Sequence, residues 1–297
     1  MTGPVYPGYF ADPFVLKLDS GYVAYGTGEG PGERAFEALT SPDLLRWTSI
    51  GRVLERLPEE AGDEYWAPEV AHADDRYWMY YSVGHGISGH HLRVAVCDSA
   101  LGPFVDCGVN LTPGELFAID PHPFRDVDGS WYLYFARDVL EAERPGTHLA
   151  VAPLASMTTL AADATRVLSP NDDWQIYERR RVMYGATYDW HTLEGPSVVR
   201  RHDRYWMTFS GGAWTGPGYG VSWAVSDAPL GPWEHAPVGT PPLLASGPGL
   251  VGPGHNSLVV APDGSDAIVF HAWNADRTAR QMWVGPIRFG RGGPALE

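Results

Sequence analysis

The sequence predicts an all-β chain, a single five-bladed β-propeller over residues 1–297 with four antiparallel strands per blade, on three observations. Five similar units recur, each opening on a short segment with an acid or a histidine and running into an aromatic-rich strand. No stretch carries a sustained apolar stripe of helical period, and 35 Gly with 26 Pro punctuate the chain too often for long helices. Turn residues suited to tight hairpins fall between the first two strands of most units.

The first unit is ADPFVLKLDSGYVAYGTG from 11, turning at Asp19-Ser20-Gly21. The second, APEVAHADDRYWMYYSVG from 67, turns at Asp74-Asp75, and the third, IDPHPFRDVDGSWYLYFARD from 119, at Asp128-Gly129. EGPSVVRRHDRYWMTFSGG from 194 is the fourth, and GHNSLVVAPDGSDAIVFHAW from 254, turning at Asp263-Gly264, is the fifth. Third strands follow as FEALTS, LRVAVCDS, THLAVAPL, GVSWAVSD and RQMWVGPI. Three units close on related phrases, SPDLLRW from 41, CDSALGPF from 97 and SDAPLGPW from 226, where Asp and Pro turn the chain into a last strand.

The repeat anchors Asp12, Glu69, Asp120, Glu194 and His255 are expected at equivalent positions near the starts of the innermost strands, lining a central channel. Residues far apart in sequence then meet at one end of that channel. The stretch from about Ser169 to His191 reads as an insertion that rims its mouth.

Hydrophobic residues at 44% against 19% charged supply a sizeable core and exclude a disordered chain. The net charge of -15 repels phosphate backbones, so nucleic acid is not an expected partner. The opening MTGPVYPGYFADPF lacks a basic segment followed by an apolar one, and no apolar run reaches the ~18 residues of a membrane helix. The expectation is therefore a cytoplasmic protein without a membrane partner, or a secreted one if a leader has been removed. Cys97 and Cys107 are expected as free thiols in a reducing compartment.

Three carboxylates, Asp12, Asp120 and Glu194, stand among apolar or small residues at innermost positions, where a solvated surface acid has no reason to be. Singly, an Asp before Pro is an ordinary turn residue and Glu194 an ordinary loop acid. Recurrence across the repeats points instead to acid/base chemistry. Inverting glycosidases use one carboxylic acid to protonate the leaving oxygen and one carboxylate to activate water, roughly 6.5 to 9.5 Å apart, a gap that opposite sides of a channel can supply. His255, in GPGHNS, is either satisfied by a Gly-rich turn or a channel-lining ligand to water or a metal. Arg280, among apolar neighbours, needs a partner if buried, either one of the acids or a sugar hydroxyl. Trp66 is a candidate stacking platform for substrate, with a core role as the alternative. Glu69 is expected to be hydrogen-bonded and structural.

The ordered phrases ADPF at 11, YWAPEV at 65, IDPHPF at 119, EGPSV at 194, SDAPLGPW at 226 and GPGHNS at 252 resemble the blade signatures of glycoside hydrolase family 43, the arabinofuranosidase, xylosidase and arabinanase family. The resemblance spans nearly the whole chain. It implies Asp12 as general base, Glu194 as general acid and Asp120 as the group that tunes and orients the acid. It implies no organic cofactor, a histidine at 255 that helps hold a calcium ion or ordered water in the channel, and an arginine at 280 that reaches the acids or substrate. Ala-Asp-Pro stands where endo-arabinanases tend to have His-Asp-Pro, and the chain resembles the family's compact members. The expected function is thus an inverting, exo-acting α-L-arabinofuranosidase on arabino-oligosaccharides or arabinoxylan fragments. The alternatives are a β-D-xylosidase or an endo-arabinanase, and, in another class, a catalytically inactive glycan-binding propeller.

Overall fold

The computed structural model describes residues 1–28 and 32–297. Among them the only helical elements are two 3-10 turns, Glu59–Ala61 and Asp173–Gln175. Strands β1 (Ala11–Leu18), β2 (Gly21–Thr27), β3 (Arg34–Ser41) and β4 (Thr48–Glu55) form one antiparallel sheet in chain order. A second contains β5 (Glu64–Ala73), β6 (Arg76–His85), β7 (Ser88–Cys97) and β8 (Val105–Asn110). Next come β9 (Ala118–Arg125), β10 (Trp131–Val139), β11 (Gly146–Ser156), β12 (Thr159–Leu160) and β13 (Thr165–Leu168). They are followed by β14 (Ile176–Met183), β15 (Ala186–Arg201), β16 (Arg204–Gly211), β17 (Gly220–Ser226) and β18 (Glu234–His235). The last sheet is β19 (Val251–Val260), β20 (Asp266–Trp273), β21 (Arg280–Gly290) and β22 (Gly293–Leu296).

Second strands are covered on both faces, as β6 and β16 show with long buried runs, which is why they read as near-continuous aromatic and apolar sequence. Fourth strands are less covered: the first half of β4 is exposed, and β8 is exposed or half-buried throughout. The five units do not give five separate sheets. β9 to β18 run together as one ten-stranded sheet, because the insertion folds into β14 and the first half of β15, which meets β11 in parallel at Gly146 and His191. Glycine is required at 146, since a Cβ there would collide with the His191 carbonyl oxygen.

First strands neighbour one another in a closed cycle, β1 to β5, β5 to β9, β9 to β15, β15 to β19, and β19 back to β1. Apolar clusters fill each gap between successive units. Tyr25, Phe36 and Tyr81 pack between the first and second, Tyr80, Leu133 and Phe135 between the second and third, and Tyr134, Phe209 and Trp233 between the third and fourth. Trp206, Trp223 and Phe270 join the fourth to the fifth, and Phe10, Val269 and Met282 the fifth to the first. The hairpin at Asp74-Asp75 has both residues left-handed, as a two-residue turn requires. His202-Asp203 makes the same turn in the fourth unit, a role its sequence did not advertise.

Every innermost strand carries a break in register beside a left-handed residue, Asp12, Ala67, Asp120, Gly195 and His255, with φ of 50, 49, 58, 54 and 43°, and β19 has a second at Gly252. These are the equivalent positions of the repeat. This corrects the register expected for Glu69 and Glu194, which lie two residues after and one residue before the left-handed residue of their units. A bulge re-aims the side chains around it, and a non-glycine residue held at positive φ costs about 1 to 3 kcal/mol. The neighbouring unit secures four of the bulges by capturing the left-handed residue's N–H. Asp12 donates to His271 Nδ1 (3.0 Å), Ala67 to Thr27 Oγ1 (2.8 Å), Gly195 to Asp120 Oδ2 (2.9 Å) and His255 to Ser210 Oγ (2.7 Å).

Candidate active site

The bulges aim Asp12, Asp120 and His255 into one end of the ring, and the residue before the fourth bulge, Glu194, joins them there. All four, with Trp66 and Arg280, line a cavity of about 540 Å³ walled by Tyr9, Ile87, Tyr177 and Trp214. The structure thus brings together six of the seven residues singled out from the sequence, all but Glu69.

Asp12 is buried, with Oδ1 3.3 Å from Arg280 Nη1, 3.5 Å from His255 Nδ1 and 3.3 Å from His271 Nδ1. Burial pushes its pKa up, but Arg280 and His255 outweigh it and hold the carboxyl well below the usual range. Asp12 is a carboxylate at any working pH. Arg280 stays charged and fixed: Nε and Nη2 donate to Tyr9 Oη at 3.1 and 2.6 Å, and the guanidinium lies 4.5 Å over the Trp214 ring.

Glu194 has the opposite environment. Burial, then the nearby Asp120, pushes its pKa up to about 8, against a hydrogen bond donated by Tyr219 Oη to Oε1. Tyr219 reaches it because Gly254 leaves room; a Cβ there would occupy the tyrosine ring. Asp120 is raised to about 6, by burial and by Asp12, with His255 and the Gly195 N–H opposing. Burial disfavours a charged His255, but Asp12, Asp120 and Glu194 outweigh it and raise its pKa. Its Nδ1 lies 3.8 Å from Asp120 Oδ2.

Among the described residues, the donor atoms of Asp120, Glu194 and His255 converge within 4.8 Å of one another, and Asp12 is not part of that group. Calcium takes roughly six to eight oxygen ligands. This group offers two carboxyls and a ring nitrogen, and Glu194 gives up the proton its burial retains if it binds a cation. A calcium ion held there would draw the rest of its oxygen ligands from water.

Trp66 is a pocket wall, stacked on the His90 ring at 3.7 Å and 18°. Glu69 lies deeper, accepting from His122 Nδ1 at 2.7 Å while His122 Nε2 accepts the Val198 N–H at 3.0 Å. That chain ties three innermost strands together. Sequence reasoning did not single out Tyr9, Trp214, Tyr219 or His271, whereas Tyr177 lies in the insertion expected to rim the channel mouth. Cys97 and Cys107 are unbridged.

One carboxylate kept ionised and one carboxyl kept protonated, facing one aromatic-walled pocket, define a hydrolase of glycosidic bonds on an all-β ring. The chain belongs to the glycosyl hydrolases family 43, whose model matches residues 1–294. It is 31% identical to the beta-D-galactofuranosidase xynD of Aspergillus niger, over 95% of this chain and 79% of that protein. It is 26% identical to an extracellular exo-alpha-(1->5)-L-arabinofuranosidase of Streptomyces avermitilis, over 93% of this chain but 56% of that one. A thermostable family-43 glycoside hydrolase of known structure superposes with a TM-score of 0.83 at 29% identity, covering 98% of this chain and 95% of the other.

Asp120→Asn removes a negative charge beside Glu194, so the pKa of Glu194 falls. As a general acid Glu194 would work only when protonated, so activity would be lost as pH rises through that pKa. The basic limb of the kcat profile is therefore expected to move to lower pH, and an unmoved limb would exclude electrostatic tuning by Asp120.

Proposed function

We propose that the chain is a five-bladed β-propeller and an inverting, exo-acting α-L-arabinofuranosidase that trims arabino-oligosaccharides or arabinoxylan fragments. The closed cycle of first strands and the apolar cluster in each gap support five blades, with the third and fourth joined through the insertion. The observation that carries the chemistry is the separation of the two carboxyls: Asp12 is held ionised by Arg280 and His255, and Glu194 is held protonated by burial and Asp120.

In the proposed cycle Glu194 gives its proton to the glycosidic oxygen as the bond from that oxygen to the anomeric carbon breaks. Water forms the new bond from the opposite face, and Asp12 takes the water's proton. Arg280, clamped by Tyr9 and Trp214, keeps Asp12 aimed and ionised. Tyr219 occupies Oε1 of Glu194, which leaves Oε2 to carry the proton. Asp120 keeps Glu194 protonated, and Gly195 N–H fixes Asp120 in turn.

A second glycone is favoured by the similarity to the Aspergillus niger galactofuranosidase. β-D-galactofuranose shares the ring stereochemistry of α-L-arabinofuranose and carries a longer exocyclic arm. Relative kcat/KM on nitrophenyl α-L-arabinofuranoside, β-D-galactofuranoside and β-D-xylopyranoside separates these readings, with the arabinofuranoside expected to lead. Proton NMR of the first sugar released is expected to show the inverted anomer. A retained first product, or a trapped glycosyl-enzyme, would refute the mechanism.

A further inference from the structure

Beside the catalytic cavity lies a smaller hollow of about 80 Å³, bounded by Asp138 on β10, Thr147 on β11 and Arg181 and Trp190 on the β14–β15 hairpin. Trp66, Tyr177, Trp214 and Glu194 line both spaces, so the two are continuous past Glu194. Asp12 lines only the larger one. In an inverting displacement the acid stands between the released sugar and the leaving group, while the base stands on the far side of the released sugar. A hollow that touches Glu194 and not Asp12 lies on the leaving-group side.

Arg181 is what makes it a site. Its guanidinium lies 4.8 Å over the Tyr177 ring and 5.5 Å over the Trp190 ring, which fixes its plane. Its side chain is 14% exposed, and its one ion pair among the described residues is a long one, 3.7 Å to Glu178. No hydrogen bond from this guanidinium is formed among the described residues, so an oriented fork of donors is left free at the wall of a half-open hollow. Asp138, by contrast, is already engaged, accepting from Thr147 Oγ1 at 3.0 Å and Tyr184 Oη at 2.7 Å. With carboxylates at Asp138 and Glu178 on either side and a chain of net charge -15, an anionic ligand is opposed, whereas hydroxyl acceptors are not.

We propose that this hollow is the leaving-group subsite, taking an uncharged sugar residue whose hydroxyls accept from Arg181 between the aromatic walls. The inference rests on the inverting reading above. It makes the insertion, not the five repeats, the determinant of which glycosidic linkage is cut.

The test compares kcat/KM on a neutral oligosaccharide with that on the nitrophenyl glycoside of the same sugar, whose leaving group has no hydroxyls to offer. Arg181→Leu is expected to lower the oligosaccharide value at least about 10-fold more than the nitrophenyl value, since a charge-assisted hydrogen bond is at stake. Arg181→Lys, which keeps the charge and loses the fork, should fall in between and covers the case in which Arg181→Leu does not fold. Equal losses on both substrates would assign Arg181 to holding the hairpin and overturn the proposal, as would no loss on either. Faster cleavage by the wild type when the leaving residue carries a carboxylate would overturn its uncharged character. If the wild type releases a sugar other than arabinofuranose, the glycone assigned above fails, and the ratio is read with that sugar's own pair of substrates.

Discussion

Asp12→Asn is expected to lower kcat about 100- to 10,000-fold, the usual share of general acid/base assistance, or about 3 to 5 kcal/mol of barrier. The amide has the shape of the carboxylate and its oxygen still accepts from Arg280 Nη1, now 3.3 Å from Oδ1. What it lacks is the ability to take a proton from water. Arg280 keeps its bonds to Tyr9 and its place over Trp214, so the melting temperature should fall much less than the activity. Addition of azide, a nucleophile that needs no base, is expected to restore turnover and yield a glycosyl azide of inverted configuration. Ordinary turnover in the variant, or an azide product of retained configuration, would show that Asp12 is not the base.

Glu194→Gln is expected to produce a loss of the same order on oligosaccharides, whose leaving oxygen must be protonated as it departs. On a dinitrophenyl glycoside the leaving group departs as a stable anion, so the loss should be far smaller. The pH profile supplies a second check. Wild-type activity should fall as pH rises through about 8, where Glu194 loses its proton, and in the glutamine variant that basic limb should disappear. Tyr219 can still donate to the amide oxygen, so the loop around it should hold. Losses that are the same for both leaving groups would remove Glu194 from the role of acid.

Much of this site was legible because the repeat is legible. Asp12 and Asp120 stand before Pro13 and Pro121 in segments that align by eye, and His255 opens the equivalent segment of the fifth unit. Arg280 was readable because a guanidinium among apolar neighbours must find an acid, and it finds Asp12. Glu194 was found for a partly mistaken reason. It was placed in register with Asp12, whereas Gly195 holds that register and Glu194 precedes it. Its carboxyl joins the cluster because the bulge turns the strand there, and bulge position is not visible in residue spacing. Tyr219 and Tyr9 escaped notice among 15 tyrosines, since neither sits at a repeated position. Tyr9 acts where the segment before β1 meets Arg280 on β21, and Tyr219 where its loop lies against Gly254 of the next unit and reaches Glu194.

The amino-acid sequence by itself determined the all-β class of the fold, and it singled out Asp12, Asp120 and Glu194 as the candidate acids. Alternation, turn chemistry and repetition are local properties, written in consecutive residues. The charge states of those acids were decided by the tertiary structure alone. Asp12 is a buried carboxyl and Glu194 a largely buried one in the same cavity. One is held ionised and the other protonated because Arg280 and His255 face the first while Asp120 faces the second. Charge interactions in a dry pocket depend on distances of a few ångströms between residues hundreds of positions apart. The same holds for the joining of β11 to β15 and for the hollow around Arg181, which exist because an insertion found an unpaired strand edge beside it.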